Sequence, residues 1–142
     1  MTTRWLLDTN VVVHLATQQN CCVAATVRLL LAGCDLILAP QVLFEFWSVA
    51  TKPLKKNGLG WSSQQTRKIV DALLRTFSLL PEPADLVPCW LDIVTRLDIR
   101  GPKSYDARLA CWALLHGISN LLTHNKSDFA LLPFSAKEPG EI

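Results

Sequence analysis

Short apolar runs alternate with longer amphipathic segments along this chain, and the two periods predict strands and helices in turn. Residues 4–8 read as a first strand, and Thr9-Asn10 turn the chain into a helix over 10–17. A second helix is predicted over 23–32, with Gly33 as its natural stop. Residues 35–39 form the next strand, and Pro40 suits the first position of a helix because it has no backbone donor to lose there. The helix over 41–51 is apolar nearly all round, with Glu45 as its single acid. Lys52-Pro53 ends it and opens a basic loop over 52–61. Ser62 starts a further helix, with Gln65 at capping-box spacing and Ile69, Val70, Leu73 and Leu74 on its inner face. A short strand over 77–80 stops at Pro81, and a helix over 85–97 presents Leu86, Trp90, Ile93, Val94 and Leu97. Ser104 is the expected N-cap of a helix over 105–116, which Gly117 ends. Residues 118–123 make a fourth strand, and a polar loop over 124–128 follows. The pattern does not specify a strand after Phe129.

The strand runs are mostly apolar without strict alternation, as a sheet buried on both faces requires. Strands alternating with helices give an α/β fold: a mainly parallel sheet of four or five strands with helices on both faces. The 142 residues suit one domain over 1–142, and 50% hydrophobic against 18% charged residues excludes a disordered chain. A net charge of +2 gives no general field, so any nucleic-acid binding must come from local patches. No targeting segment and no bilayer-length apolar run is visible, so a cytoplasmic protein without membrane contact is expected. The five cysteines include no C-x-x-C pair and are read as reduced; the three histidines show no ligand spacing to them, so no zinc site is expected.

The predicted topology sorts the acids. Strand ends and the helix starts behind them share one edge, which gathers Asp8, Glu45, Asp106, Asn125 and Asp128. Asp35 falls at the opposite edge, and Asp71 and Asp92 sit mid-helix. Each member has a plainer reading: Asp8 as a helix cap, Glu45 in an ion pair, Asp106 as an acid favoured by a helix dipole. Glu45, on an apolar helix, is expected to be at least partly buried. Ala110, Ala113 and Gly117 continue the Asp106 face as a stripe of small residues that lets the helix lie close to the sheet. Two carboxylates about 4 Å apart repel by roughly 4 kcal/mol at an effective dielectric of about 20. Such a cluster must take up protons, cations or basic side chains. Oxygen ligands without clustered His or Cys favour Mg²⁺ or Mn²⁺, and that arrangement suits hydrolysis of a phosphodiester.

Four segments together resemble the PIN-domain nucleases: Leu-Leu-Asp-Thr-Asn at 6–10, Glu45 after a strand-Pro turn, Ser-Tyr-Asp-Ala-Arg-Leu-Ala at 104–110, and Leu-Leu-Thr-His-Asn-Lys-Ser-Asp-Phe at 121–129. More narrowly the chain resembles the VapC-type toxins of toxin–antitoxin pairs, and Glu-Phe-Trp-Ser-Val-Ala-Thr-Lys-Pro at 45–53 and Asn-Gly-Leu-Gly at 57–60 resemble one branch of them. The resemblance spans a core from residue 4 to about 134, and the short polar tail leaves the family's last strand open. The resemblance implies Mg²⁺- or Mn²⁺-dependent cleavage of RNA, a homodimer and a small cognate antitoxin. It makes Asp8 and Asp106 the main metal ligands, with Glu45 and Asp128 completing the acidic pocket and Glu45 serving the attacking water. Thr9, Asn10, Thr123 and Asn125 would hold ligands and waters in place, Asn125 standing where many relatives carry an acid. Lys52, Lys55, Lys56, Arg100, Lys103, Arg108 and Lys126 are candidates to neutralise substrate phosphates, with Trp61 for stacking; ordinary surface charge and a core tryptophan are the alternatives. His124 is read as a loop residue, and His14 and His116 are given no catalytic role. Two competing functions are a PIN-like module that only binds RNA or a partner, and a haloacid-dehalogenase-type phosphatase. The second would need an acid where Asn10 stands.

Overall fold

In the computed structural model, which describes residues 2–142, the five strands are Arg4–Leu7 (β1), Asp35–Leu38 (β2), Ser78–Leu79 (β3), Asn120–Leu122 (β4) and Ser135–Lys137 (β5). They form one parallel sheet in the order β3-β2-β1-β4-β5. Met1, the first residue of the expected domain, lies outside the described residues. The helices are Thr9–Ala16 (α1), Asn20–Leu31 (α2), Pro40–Thr51 (α3), Ser63–Thr76 (α4), Leu86–Arg96 (α5) and Lys103–Leu115 (α6). Leu6, Leu7, Leu36, Ile37, Leu38, Leu121 and Leu122 are buried, so the three central strands face core on both sides.

The strand order positions the site. The chain moves from β1 to β2 to β3 in one direction, then returns across β1 to β4. Parallel crossovers are right-handed, so this reversal puts α5 and α6 on the face opposite α1 to α4. The packing agrees: α1 lies against α2 and α3, α3 against α4, and α5 against α6. The direction of winding reverses between β1 and β4, where the carboxyl ends of a parallel sheet open a crevice. Asp8 and Thr123 are the residues that follow those two strands.

Several boundaries differ from the sequence pattern, each for a local reason. α1 begins at Thr9, because Asp8 itself caps it. α2 begins at Asn20, before its apolar face starts. Ser104 is not the N-cap of α6: Gly101, at φ 64°, makes the turn, Pro102 already has helical dihedrals, and no side chain caps the helix. β4 is shorter than 118–123 because Ile118 is still closing α6, its N–H bonding to the Ala113 carbonyl at 2.8 Å while that of Gly117 bonds to Leu114. β5 does form, paired to β4 in the register Asn120↔Ser135. The capping box at Ser62 and Gln65 is present in both halves.

The basic loop folds back on α3. The N–H groups of Leu59 and Trp61 reach the carbonyls of Val49 and Ala50 at 3.0 and 2.9 Å. Trp61, half-buried, packs edge-on against the core residue Phe46 at 6.4 Å. No helix among the described residues is long and apolar enough to cross a membrane.

Candidate active site

Asp8 has extended backbone at the end of β1, and its Oδ1 accepts the Thr9 N–H at 2.8 Å as the N-cap of α1. The other oxygen, Oδ2, accepts the Thr123 hydroxyl at 2.8 Å and the Asn10 amide at 3.4 Å. Thr123 is buried just past β4, and its Oγ1 in turn accepts the Asn125 N–H at 3.1 Å. Asn10 Oδ1 accepts the His124 N–H, also at 3.1 Å. The ends of two adjacent strands are thus laced through one carboxylate. Asn10 is occupied in this lacing, where the phosphatase alternative would need a second acid.

Asp8, Glu45, Asp106 and Asp128 line one cleft of about 360 Å³, with Thr9, Asn10, His14 and Asn125 also in its walls. The four acids come from the end of β1, the second turn of α3, the first turn of α6 and the turn after β4. Their proximity is felt electrostatically. Burial pushes the Asp8 carboxyl up, the Thr123 and Thr9 hydrogen bonds oppose this, and the charges of Glu45 and Asp128 add to it. Asp106 is pushed up to about 6, first by burial, then by the charges of Asp8, Asp128 and Glu45; Lys103 alone pulls it down. Repulsion on this scale is what a bound cation would relieve. The donor set is all oxygen, and the buried Thr9 Oγ1 has no partner in the protein, leaving a hydroxyl for a coordinated water. These residues fit a hard divalent ion.

Glu45 departs from expectation: it is exposed. The outer face of α3 is not covered, with Phe44 70% and Trp47 38% exposed, so the apolar surround of Glu45 is not a core. Its Oε1 is held instead by the buried Gln41, whose Nε2 donates to it at 2.7 Å and to the Tyr105 carbonyl at 3.0 Å. Gln41 Oε1 accepts from Arg108 at 2.8 Å, and Arg108 also pairs with Glu82 at 3.0 Å. Arg108 therefore braces the site from behind, and is not a free cation for substrate. Arg100 pairs with Asp98 and Lys126 with Glu141, both at 2.9 Å. Unlike Arg100, Arg108 and Lys126, Lys103 acts with its charge on Asp106.

Gln41 is the residue that sequence reasoning missed, although a glutamine four positions before a helical acid is a readable signal. His14 and His124 meet Cys22 beside the cleft, a grouping with no counterpart in sequence spacing. Burial and the neighbouring Cys21 push the Cys22 thiol up to about 12. Burial, followed by the charge of His14, lowers His124, against the charge of Glu138.

A sequence model of the family described as PIN domain matches residues 5–134. No curated protein sequence matches the chain. Among solved structures, the chain is similar to VapBC2 from Rickettsia felis bound to a promoter DNA fragment, at TM-score 0.73 and 20% identity over 96% of this chain and 98% of that one. It is similar to VapBC-1 from nontypeable Haemophilus influenzae, at TM-score 0.70 and 19% identity over 97% and 99% of the two chains. It also resembles VapC20 of Mycobacterium tuberculosis, described as a sarcin–ricin-loop-cleaving toxin, at TM-score 0.57 and 18% identity over 82% and 86%. Identities this low speak to the fold.

Proposed function

This chain belongs to the PIN-domain family, and from that premise we propose that it is a divalent-metal-dependent endoribonuclease, the toxin of a toxin–antitoxin pair. The observation that carries this reading is the convergence of Asp8, Glu45, Asp106 and Asp128 on one cleft where the strand order reverses. Asp8 and Asp106 would hold Mg²⁺ or Mn²⁺, with Glu45 and Asp128 completing the acidic pocket and Thr9, Asn10, Thr123 and Asn125 keeping ligands and waters in place. The ion supplies charge neutralisation of the phosphodiester and a lowered pKa for the attacking water.

The protein's own groups do the rest. Thr123 and Asn10 lock Asp8 Oδ2, so the carboxylate cannot rotate out of the cleft. Gln41 occupies Oε1 of Glu45, leaving Oε2 on the open side to accept a proton from the water that attacks phosphorus as the P–O bond breaks. Lys103, exposed beside Asp106, offsets phosphate charge. RNA as substrate is supported by the activity described for the mycobacterial relative. An antitoxin partner is supported by relatives solved as toxin–antitoxin pairs, and a homodimer by the exposed apolar side chains of α2 and α3. A cytoplasmic location follows from that assignment.

Purified protein is expected to cleave structured RNA with added Mg²⁺ or Mn²⁺ and to stop in excess EDTA. Asp106→Asn is expected to lower the rate by about 100-fold or more with an unchanged circular dichroism spectrum. Full cleavage in EDTA would overturn the metal mechanism.

A further inference from the structure

Three side chains from three elements meet at the edge of the acidic cleft, and of the three His14 also lines it. His14 lies in the last turn of α1, Cys22 in the first turn of α2, and His124 one residue beyond Thr123 in the loop after β4. His14 Nδ1 lies 2.6 Å from His124 Nε2, and Cys22 Sγ lies 2.9 Å from the same Nε2. The three atoms all fall within 4.8 Å of one another.

Hydrogen bonding does not account for this. A neutral imidazole nitrogen offers either one lone pair or one hydrogen, yet both partners approach the same Nε2 atom. That atom can serve only one of them well, and Cys22, which also meets Cys21, is fully buried between two half-buried histidines. Two imidazole nitrogens and a cysteine sulfur gathered within 4.8 Å of one another are a donor set that a borderline-soft cation takes.

We propose that His14, Cys22 and His124 form a Zn²⁺-class metal site, separate from the acidic cleft, that fastens α1 and α2 to the loop after β4. Tetrahedral bonds of about 2.05 Å to nitrogen and about 2.3 Å to sulfur set N···N near 3.3 Å and N···S near 3.6 Å. The present contacts open to these values by about 0.7 Å, within reach of ring rotation on fixed backbones. The backbones are indeed fixed: His14 lies within a helix, and Asn10 grips the His124 N–H. The thiol gives up its proton to solvent on binding, and three protein ligands leave a fourth position to water. Selectivity comes from donor type. The all-oxygen cleft suits a hard ion, and the nitrogen–sulfur group a softer one. Because His14 also lines the cleft and Asn10 links His124 to Asp8, the site holds the cleft wall in position. It does not depend on the nuclease reading.

The test is Co²⁺ titration of the full chain, reduced and metal-free, with excess Mg²⁺ to fill the acidic cleft. One Co²⁺ per chain is expected, with a thiolate-to-cobalt charge-transfer band in the near ultraviolet that Zn²⁺ abolishes. Cys22→Ser should lose the band. His14→Gln should keep the band but bind about 100-fold more weakly, and Asp106→Asn should leave it unchanged. No band in the folded parent, or a band that survives in Cys22→Ser, would overturn the proposal. So would parent-like Co²⁺ affinity in His14→Gln, a variant that leaves the buried cysteine intact.

Discussion

Asp8 caps α1 with one oxygen, accepts the Thr123 hydroxyl with the other and brings a carboxyl group to the cleft, and two substitutions separate the cap from the charge. Asparagine caps a helix as well as aspartate does, so Asp8→Asn removes charge and keeps the cap, whereas Asp8→Ala removes both. Urea unfolding is expected to find Asp8→Ala about 1 kcal/mol less stable than Asp8→Asn, with RNA cleavage lost in both. Equal stability would show that the cap contributes nothing. Asp106 carries a different expectation. Its folded-state value of about 6 lies above the ordinary 3.8, so the folded chain keeps a proton that the unfolded chain releases. The contribution of Asp106 to the stability of the metal-free protein is therefore fully present below about pH 4 and is lost as pH rises through about 6. Asp106→Asn removes that loss. In chelator at pH 7 it should be more stable than the parent by about 1 kcal/mol, allowing for solvent screening at a half-exposed group. A difference that persists unchanged at pH 3.5 would break the link to this proton.

Elements differ in how much of themselves they write into the sequence. The capping box of α4 is fully legible, because its two halves are local and reciprocal. α3 is legible as a helix but not as a surface. Val42, Phe46 and Ala50 form its buried stripe at four-residue spacing, while Phe44 and Trp47 stay exposed, and composition alone cannot tell a buried apolar face from a bare one. That is why Glu45 reads as buried and is not. β5 is illegible for the opposite reason: Ser135-Ala136-Lys137 has no apolar run, and backbone pairing to β4 holds it. The loop after α3 hides a steric requirement. A Cβ on Gly58 would stand 1.9 Å from the Lys52 carbonyl oxygen, with backbone on the other side of the clash. Gly58→Ala is expected to destabilise the protein by about 2 kcal/mol or more in chemical denaturation, and an unchanged midpoint would show that the loop is not held against α3.

At the scale of the molecule, one property of parallel sheets made the acidic site readable: residues just beyond strand ends share an edge whatever their separation in sequence. Asp8 and Asp128 follow from that rule, and Asp106 joins them because the helix that feeds β4 starts at the same edge. Cys22, His14 and His124 do not, because their meeting depends on where α2 lies across α1, which no periodicity encodes. The same geometry ties the metal response to pH. Protons compete with a divalent ion for Asp106, so Mg²⁺ should raise the melting temperature more at pH 8 than at pH 5.5. At a hundred times its Kd the ion contributes about 2.7 kcal/mol, roughly 10 °C for a chain of this size. Equal shifts at both pH values would place the ion elsewhere. The central strand adds a consequence in time. β1 pairs with β2, close by in sequence, but also with β4, through Leu6↔Leu121. During synthesis the first pairing can form early, whereas the second waits for nearly the whole chain. Until residue 128 has left the ribosome, Asp8 lacks its Thr123 partner and the cleft lacks Asp128. Under the proposed endoribonuclease activity, a nascent chain is then an unfinished catalyst, inert toward the RNA that surrounds it while it is being made.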